Sequence, residues 1–354
     1  MRASRLARYL FAVYLLLVVY ASLYPLAGWR VQGVEAFAFL SAPWPRYVTA
    51  FDLLSNVLAY APYGFLCVLA LHPALRGRRA VFAAIVSGVA LSILLEAAQS
   101  YLAARVASNL DVLSNAAGAA VGALASMGFA PWLLGAGPLQ ALRARAFLPG
   151  AQADFGLVLL GLWLFAQLNP AMLLFGSGDL RDLLTDPAGP AHPPALFVSI
   201  EAVTAAANLV AVALLASAVV APAAPARAVV VLLVLAALAV RAFAFAILMG
   251  PGELLVWLTP GARQGLVAGL ALALLLLALP RTLRLALAAV LLMAATVLVN
   301  LAPSNPYLAA TLKVWQQGHF LNFNGLTRLV SSTWPFIALG YLMLLASRRQ
   351  TSPG

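Results

Sequence analysis

A succession of long apolar runs dominates this 354-residue sequence. A run of about 18 or more apolar residues reads as a membrane-spanning helix, because the bilayer core is about 30 Å thick and a helix rises about 1.5 Å per residue. Such stretches lie at roughly 8–27, 53–71, 80–101, 110–129, 153–170, 197–220, 228–249, 263–279, 285–301 and 333–347. Only 9% of the residues are charged and 64% are hydrophobic, against about 25% charged in a soluble domain. Too few polar side chains are present to cover a water-facing surface. The expectation is an all-α, polytopic transmembrane helix bundle of about ten spans, and a soluble enzyme is excluded.

The net charge of +11 does not indicate nucleic-acid binding, because the arginines are spread between the apolar runs. With the N-terminus placed in the cytoplasm, 13 of the 21 basic residues fall in short cytoplasmic segments: Arg2, Arg5, Arg8, Arg76, Arg78, Arg79, Arg143, Arg145, Arg227, Arg281, Arg284, Arg348 and Arg349. An excess of Lys and Arg on that side sets topology, so an N-in, C-in orientation is expected. The apolar stretch behind Arg2, Arg5 and Arg8 is too long for a signal-peptide core of about 7–15 residues and reads as a retained first helix. The one cysteine, Cys67, allows no intramolecular disulfide.

Gly and Pro between 130 and 152 mark a cytoplasmic linker. It separates a four-helix membrane domain, 1–129, from a six-helix region, 153–354. The outer loop 302–332 carries Tyr307, Trp315, Phe320 and Phe323, with Trp334 following. Aromatic residues at this density suit the membrane interface, in a short helix or re-entrant element.

Ionisable residues inside membrane helices are costly, about 2.5–3.5 kcal/mol at the helix centre, and point to function. Helix two opens with Asp52-Leu-Leu-Ser-Asn56 and helix four with Asp111-Val-Leu-Ser-Asn115. In each copy Asp and Asn are four apart on one helical face, and Asp stands near the first turn, where the helix dipole favours an anion. Helix three ends with Glu96 and Gln99, and Arg105 follows. Topology alone therefore brings Asp52, Asn56, Glu96, Gln99, Arg105, Asp111 and Asn115 to one depth near the outer face. Gly64, Gly118 and Gly122 permit close helix contact, and Pro62 stands beside them in the packing set. Two structural alternatives remain open: the aspartates as helix caps, and Asn and Gln as bridges between helices. In the C-terminal region Glu201 is expected to pair with Arg241, while Asp179, Asp182 and Asp186 read as loop solubility. His192 and His319 are weighed as partners of loop acids in a metal site; solvated loop residues are the preferred reading, and no metal site is expected.

The run Asp52-Leu-Leu-Ser-Asn56-Val-Leu-Ala-Tyr60-Ala-Pro62-Tyr-Gly64, then Glu96-Ala-Ala-Gln99, Arg105, and Asp111-Val-Leu-Ser-Asn115-Ala-Ala-Gly118, resembles the VanZ-like family over about residues 8–129. The run Gly318-His-Phe-Leu-Asn-Phe-Asn-Gly325-Leu with Trp334-Pro335 resembles the tail of longer members. The resemblance implies a multi-pass protein of the bacterial inner membrane with a cell-envelope role. Founding members lower susceptibility to teicoplanin-type glycopeptides without remodelling the peptidoglycan stem peptide. Membrane lipids, a lipid-linked envelope precursor or a glycopeptide are then the expected partners, with no nucleic acid. Asp52, Glu96 and Asp111 against Arg105 sum to about −2 if all are ionised, which favours a cation, an amine or a proton over a bare phosphate. Three functions compete: a non-enzymatic binding or transport module, a membrane-embedded enzyme with Glu96 or Asp111 as general base, and a structural scaffold. The absence of Ser-His-Asp and HExxH patterns disfavours the enzyme. No cofactor is assigned.

Overall fold

The computed structural model describes residues 4–135, 137–181, 193–303, 305 and 321–347. It divides into two compact units, Met1–Ala144 and Arg145–Gly354. Among the described residues it is all-helical, and the only β-type pairings are isolated bridges at Trp29–Leu102 and Phe147–Val220.

The first unit contains α1 (Arg5–Leu23), α2 (Ala50–Leu71), α3 (Gly77–Gln99) and α4 (Asn109–Leu134). All four are long and apolar enough to cross a membrane. Their order places the ends of α1 and α3 beside the starts of α2 and α4. The tightest packing is between α2 and α4, and glycine makes it possible. A Cβ on Gly64 would stand 2.0 Å from the Ala119 carbonyl oxygen, one on Gly118 2.4 Å from that of Val57, and one on Gly122 1.7 Å from that of Ala61. Only a hydrogen side chain lets these backbones approach. Behind this seam Tyr60, Tyr63, Leu95 and Ala119 pack with Val18 of α1, and Cys67, Val68, Ala80, Ala84 and Ala123 form a second cluster. Leu16, Leu58, Leu94 and Leu124 remain exposed, as lipid-facing side chains would be.

The stretch read as a linker holds more helix than its Gly and Pro content suggests. Helix α4 continues through Pro131 to Leu134, and a nine-residue helix α5 (Pro138–Ala146) follows.

The second unit contains α6 (Ala151–Ala166), α7 (Pro194–Val219), α8 (Ala226–Met249), α9 (Pro260–Leu276), α10 (Arg281–Leu301) and α11 (Leu321–Ser347). Helices α7, α8, α10 and α11 meet the length and apolarity of a membrane span, while α6 and α9 are apolar but only 16 and 17 residues long. Helix α7 is the core of this unit, buried on every side from Asn208 to Val219. Its partner α9 packs through Gly261, Gly265 and Gly269 against Val198, Ala202 and Ala206.

Four expectations for this unit are corrected. The last helix starts at Leu321, well before residue 333, so Phe323, Arg328 and Trp334 are helical. Trp334 is not an interface residue: it is 1% exposed, and its Nε1 donates to the Leu159 carbonyl at 2.8 Å. Glu201 and Arg241 form no ion pair. Glu201 accepts from the Thr259 hydroxyl at 2.6 Å, whereas Arg241 donates to the carbonyls of Asn169 and Met172. Those carbonyls belong to the non-helical segment 167–181 behind α6, which is largely buried. Buried irregular backbone must find partners inside the protein. Asn300 supplies both a donor to the Gly178 carbonyl at 2.7 Å and an acceptor for the Leu180 amide at 2.9 Å. Ser332 donates to the Asp179 carbonyl at 2.8 Å. Asp179 is therefore built into the fold and is not a merely solvated loop acid. Its carboxylate grips Arg181 at 2.6 Å. Burial pushes its pKa up, but the hydrogen bonds and charge of Arg181, with Arg328, outweigh that and hold it below the usual carboxylate value. Tyr307, Trp315, Phe320, Asp182, Asp186, His192 and His319 lie outside the described residues.

Candidate functional site

The seven residues singled out by sequence meet at one end of the first unit, where α1 and α3 finish and α2 and α4 begin. Each is held by a local device. Thr49 caps α2: its hydroxyl accepts from the Asp52 amide at 3.1 Å, and Asp52 Oδ2 accepts from the Thr49 amide and hydroxyl at 3.2 and 2.7 Å. This reciprocal box satisfies helix-end amides that have no intrahelical partner. Ser108 caps α4, and its own amide donates to Glu96 Oε2 at 2.8 Å. Glu96 thus ties the end of α3 to the start of α4.

The two copies of the Asp-x-Leu-Ser-Asn pattern meet across the α2–α4 seam. Asn56 of the first copy donates to Asp111 Oδ1 of the second at 3.0 Å and to the Ser114 hydroxyl at 3.3 Å. The converse pair is not made, because Asn115 turns to α3 and donates to the Ser92 hydroxyl at 2.9 Å. Gln99 donates to the Ser22 carbonyl at 3.0 Å. Arg105 donates to the carbonyls of Ala21 and Tyr24, with distances of 2.9–3.2 Å. A guanidinium on the last carbonyls of α1 complements the negative end of that helix dipole. Burial pulls Arg105 below its ordinary pKa, while the nearby charges of Glu96 and Asp111 act the other way; it remains a cation.

These contacts use the donors almost completely and leave acceptors over. Glu96 is 4% exposed, and its second oxygen takes no hydrogen bond among the described residues. Asp111 likewise has one oxygen unengaged among the described residues. Among the described residues the buried Asn115 Oδ1 has no hydrogen-bond partner, and the buried Tyr60 hydroxyl stands beside Ser92 without a hydrogen bond of good geometry. Tyr60 and Ser92 escaped the sequence reading. Helical spacing does connect them to the set, since Tyr60 follows Asn56 by four residues and Ser92 precedes Glu96 by four.

Beside this polar set the chain presents apolar surface. Residues 24–49 return to the end of α3: the Arg30 amide donates to the Tyr101 carbonyl at 2.9 Å, and Gln32 donates to the Ser100 carbonyl at 2.9 Å. An open groove of about 530 Å3 lies between Trp29 and Val31 on one side and Ala97, Ala98 and Tyr101 on the other. Trp44, Tyr47 and Val106 are also exposed at this end.

Residues 11–130 match the family model described as VanZ/LLP1, so the first unit carries a VanZ-like membrane domain. Neither a comparison with curated proteins nor one with solved structures gives a match.

Proposed function

We propose, from the premise of a VanZ-like membrane unit, that this protein binds or handles an amphiphile of the bacterial cell envelope. The amphiphile is a lipid, a lipid-linked glycan or an amphiphilic glycopeptide, and its site is the polar end of the first unit, facing outward from the inner membrane. One observation carries the reading: unengaged acceptors on Glu96 and Asp111 lie at the same end of the first unit as an open groove with aromatic and aliphatic walls. A headgroup bearing amine or hydroxyl donors suits the first, and an acyl chain suits the second. A glycopeptide-resistance role of the founding type is consistent with such an arrangement, and no step of chemistry is required of it.

The hydrogen bonds at the helix ends favour a second reading, in which the network is only scaffold. Native mass spectrometry of the detergent-purified protein separates the two. A lipid or glycolipid bound to the parent protein and lost from both Glu96→Gln and Asp111→Asn supports the binding reading. The same lipids on all three proteins leave the network as scaffold.

A further inference from the structure

Deeper than the helix caps, four oxygens from three helices converge in the first unit. Ser92 and Glu96 stand one turn apart on α3, Tyr60 comes from α2 and Asn115 from α4. Their exposures are 0% for Ser92, 4% for Glu96, 3% for Tyr60 and 6% for Asn115. The Asn115 amide is fixed by its 2.9 Å donation to Ser92. The Tyr60 hydroxyl stands beside Ser92, within range of the Glu96 charge. Among the described residues Asn115 Oδ1 has no hydrogen-bond partner, and Tyr60 Oη, beside the Ser92 hydroxyl, makes no hydrogen bond of good geometry. A buried polar atom left unmatched costs about 1–3 kcal/mol. Such atoms beside a carboxylate whose second oxygen is unengaged describe a place made for something else.

The donor chemistry narrows what that is. One carboxylate oxygen, one amide oxygen and two hydroxyls are hard oxygen ligands, with no nitrogen or sulfur among them, which disfavours zinc and copper. An anion would face acceptors. Glu96 and Asp111 against the nearby Arg105 leave a net charge of about −1 if all are ionised. A divalent ion would leave a buried positive charge uncompensated. We infer that Tyr60, Ser92, Glu96 and Asn115 form a binding site for a small monovalent cation of sodium size, enclosed between α2, α3 and α4. The inference rests on the reading that this end of the unit is a working site, but not on the amphiphile proposed for it.

The test uses the full chain in detergent with no added lipid. Melting is followed by the reaction of Cys67, the sole cysteine and buried on α2, with a thiol-reactive fluorophore. Sodium chloride is compared with potassium, choline, calcium and magnesium chlorides at matched ionic strength. Sodium should raise the midpoint saturably by several degrees over choline, since a ligand bound only to the folded state stabilises it. Glu96→Gln should lose that response. Tyr60→Phe keeps the buried ring and removes only a hydroxyl that makes no well-formed hydrogen bond, so it folds, and it should raise the half-saturating sodium concentration about tenfold. An equal midpoint in sodium and choline overturns the inference, as does a sodium response that survives in both variants. A response to calcium or magnesium alone overturns the charge argument. Lipid retained on the parent but not on Asp111→Asn, without any sodium response, would sink the cation site and leave the amphiphile reading standing.

Discussion

Replacing Gly122 by alanine probes the seam on which the whole polar end depends. The added Cβ would lie 1.7 Å from the Ala61 carbonyl oxygen, 2.6 Å from its carbon and 2.9 Å from the Phe65 nitrogen, all backbone atoms. No rotamer change relieves such a clash. Ordinary van der Waals contact begins near 3.4 Å, so α2 and α4 must part locally by about 1.5 Å. Overpacking of this kind costs about 1–3 kcal/mol, and the backbone location puts Gly122→Ala at the upper end, about 3 kcal/mol. At about 2–8 °C per kcal/mol for domains of this general size, the midpoint should fall by about 10 °C. Gly128→Ala is the control: it sits on the same helix, and its Cβ would meet nothing within 4 Å. Alanine's better helix propensity should leave that variant at or slightly above the parent. The Cys67 reaction reads the melting directly, because Cys67 lies on α2 between Gly64 and the end of the helix. If Gly122→Ala melts within about 2 °C of Gly128→Ala, the close α2–α4 approach is wrong, and the meeting of Asn56 with Asp111 falls with it.

Arg105→Ala should free the end of α1 by removing the donors to Ala21 and Tyr24. A loss of about 2–3 kcal/mol is expected, together with faster hydrogen exchange in the last turn of α1. Arg105→Lys should recover less than half, because one ammonium cannot copy the fork. Arg241→Met should leave the Asn169 and Met172 carbonyls without donors, costing about 2 kcal/mol or more. Deuterium uptake should rise across 167–181 and stay unchanged in α2. The Asp179–Arg181 pair should make the second unit acid-sensitive. Its folded carboxyl pKa is depressed, so its contribution is complete above the unfolded value of about 3.9 and is lost as pH falls through the lower folded value. In Asp179→Asn the drop in melting temperature over that acid range should be smaller, as a pH series of melts would record.

The helices were legible because the bilayer imposes length and apolarity on each of them separately. What escaped depends on partners far away in sequence. The start of α11 carries Asn322, Asn324, Thr327, Arg328 and Ser331, which look like loop. Thr327 and Ser331 are nevertheless buried, their hydroxyls satisfied by carbonyls of their own helix, and Ser331 offers its carbonyl to the Gly178 amide. The segment 167–181 begins inside the stretch read as a span, 153–170, and carries Asn-Pro and Gly-Ser-Gly. It is buried because Arg241, Asn300 and Ser332 supply the donors its carbonyls need. Matching Glu201 to Arg241 by depth failed for the same reason, since carbonyls compete for a guanidinium and leave no trace in composition. At the polar end the repeated Asp-x-Leu-Ser-Asn and the i, i+4 rule located the set. Tyr60 and Ser92 stayed hidden because hydroxyls are commonplace within apolar helices. The glycines of α9 show the same four-residue spacing as Gly118 and Gly122, a signal present in the sequence and not taken up.

The placement of the polar end on the outer face is the claim on which the amphiphile reading turns, and cysteine labelling tests it most directly. In a Cys67→Ser background, Val106→Cys, at a site 88% exposed beside the polar set, is compared in intact cells with Arg78→Cys at the opposite end of α3. A membrane-impermeant maleimide should label Val106→Cys at once and Arg78→Cys only after the membrane is opened. Labelling in the reverse order would put the site in the cytoplasm and contradict the account.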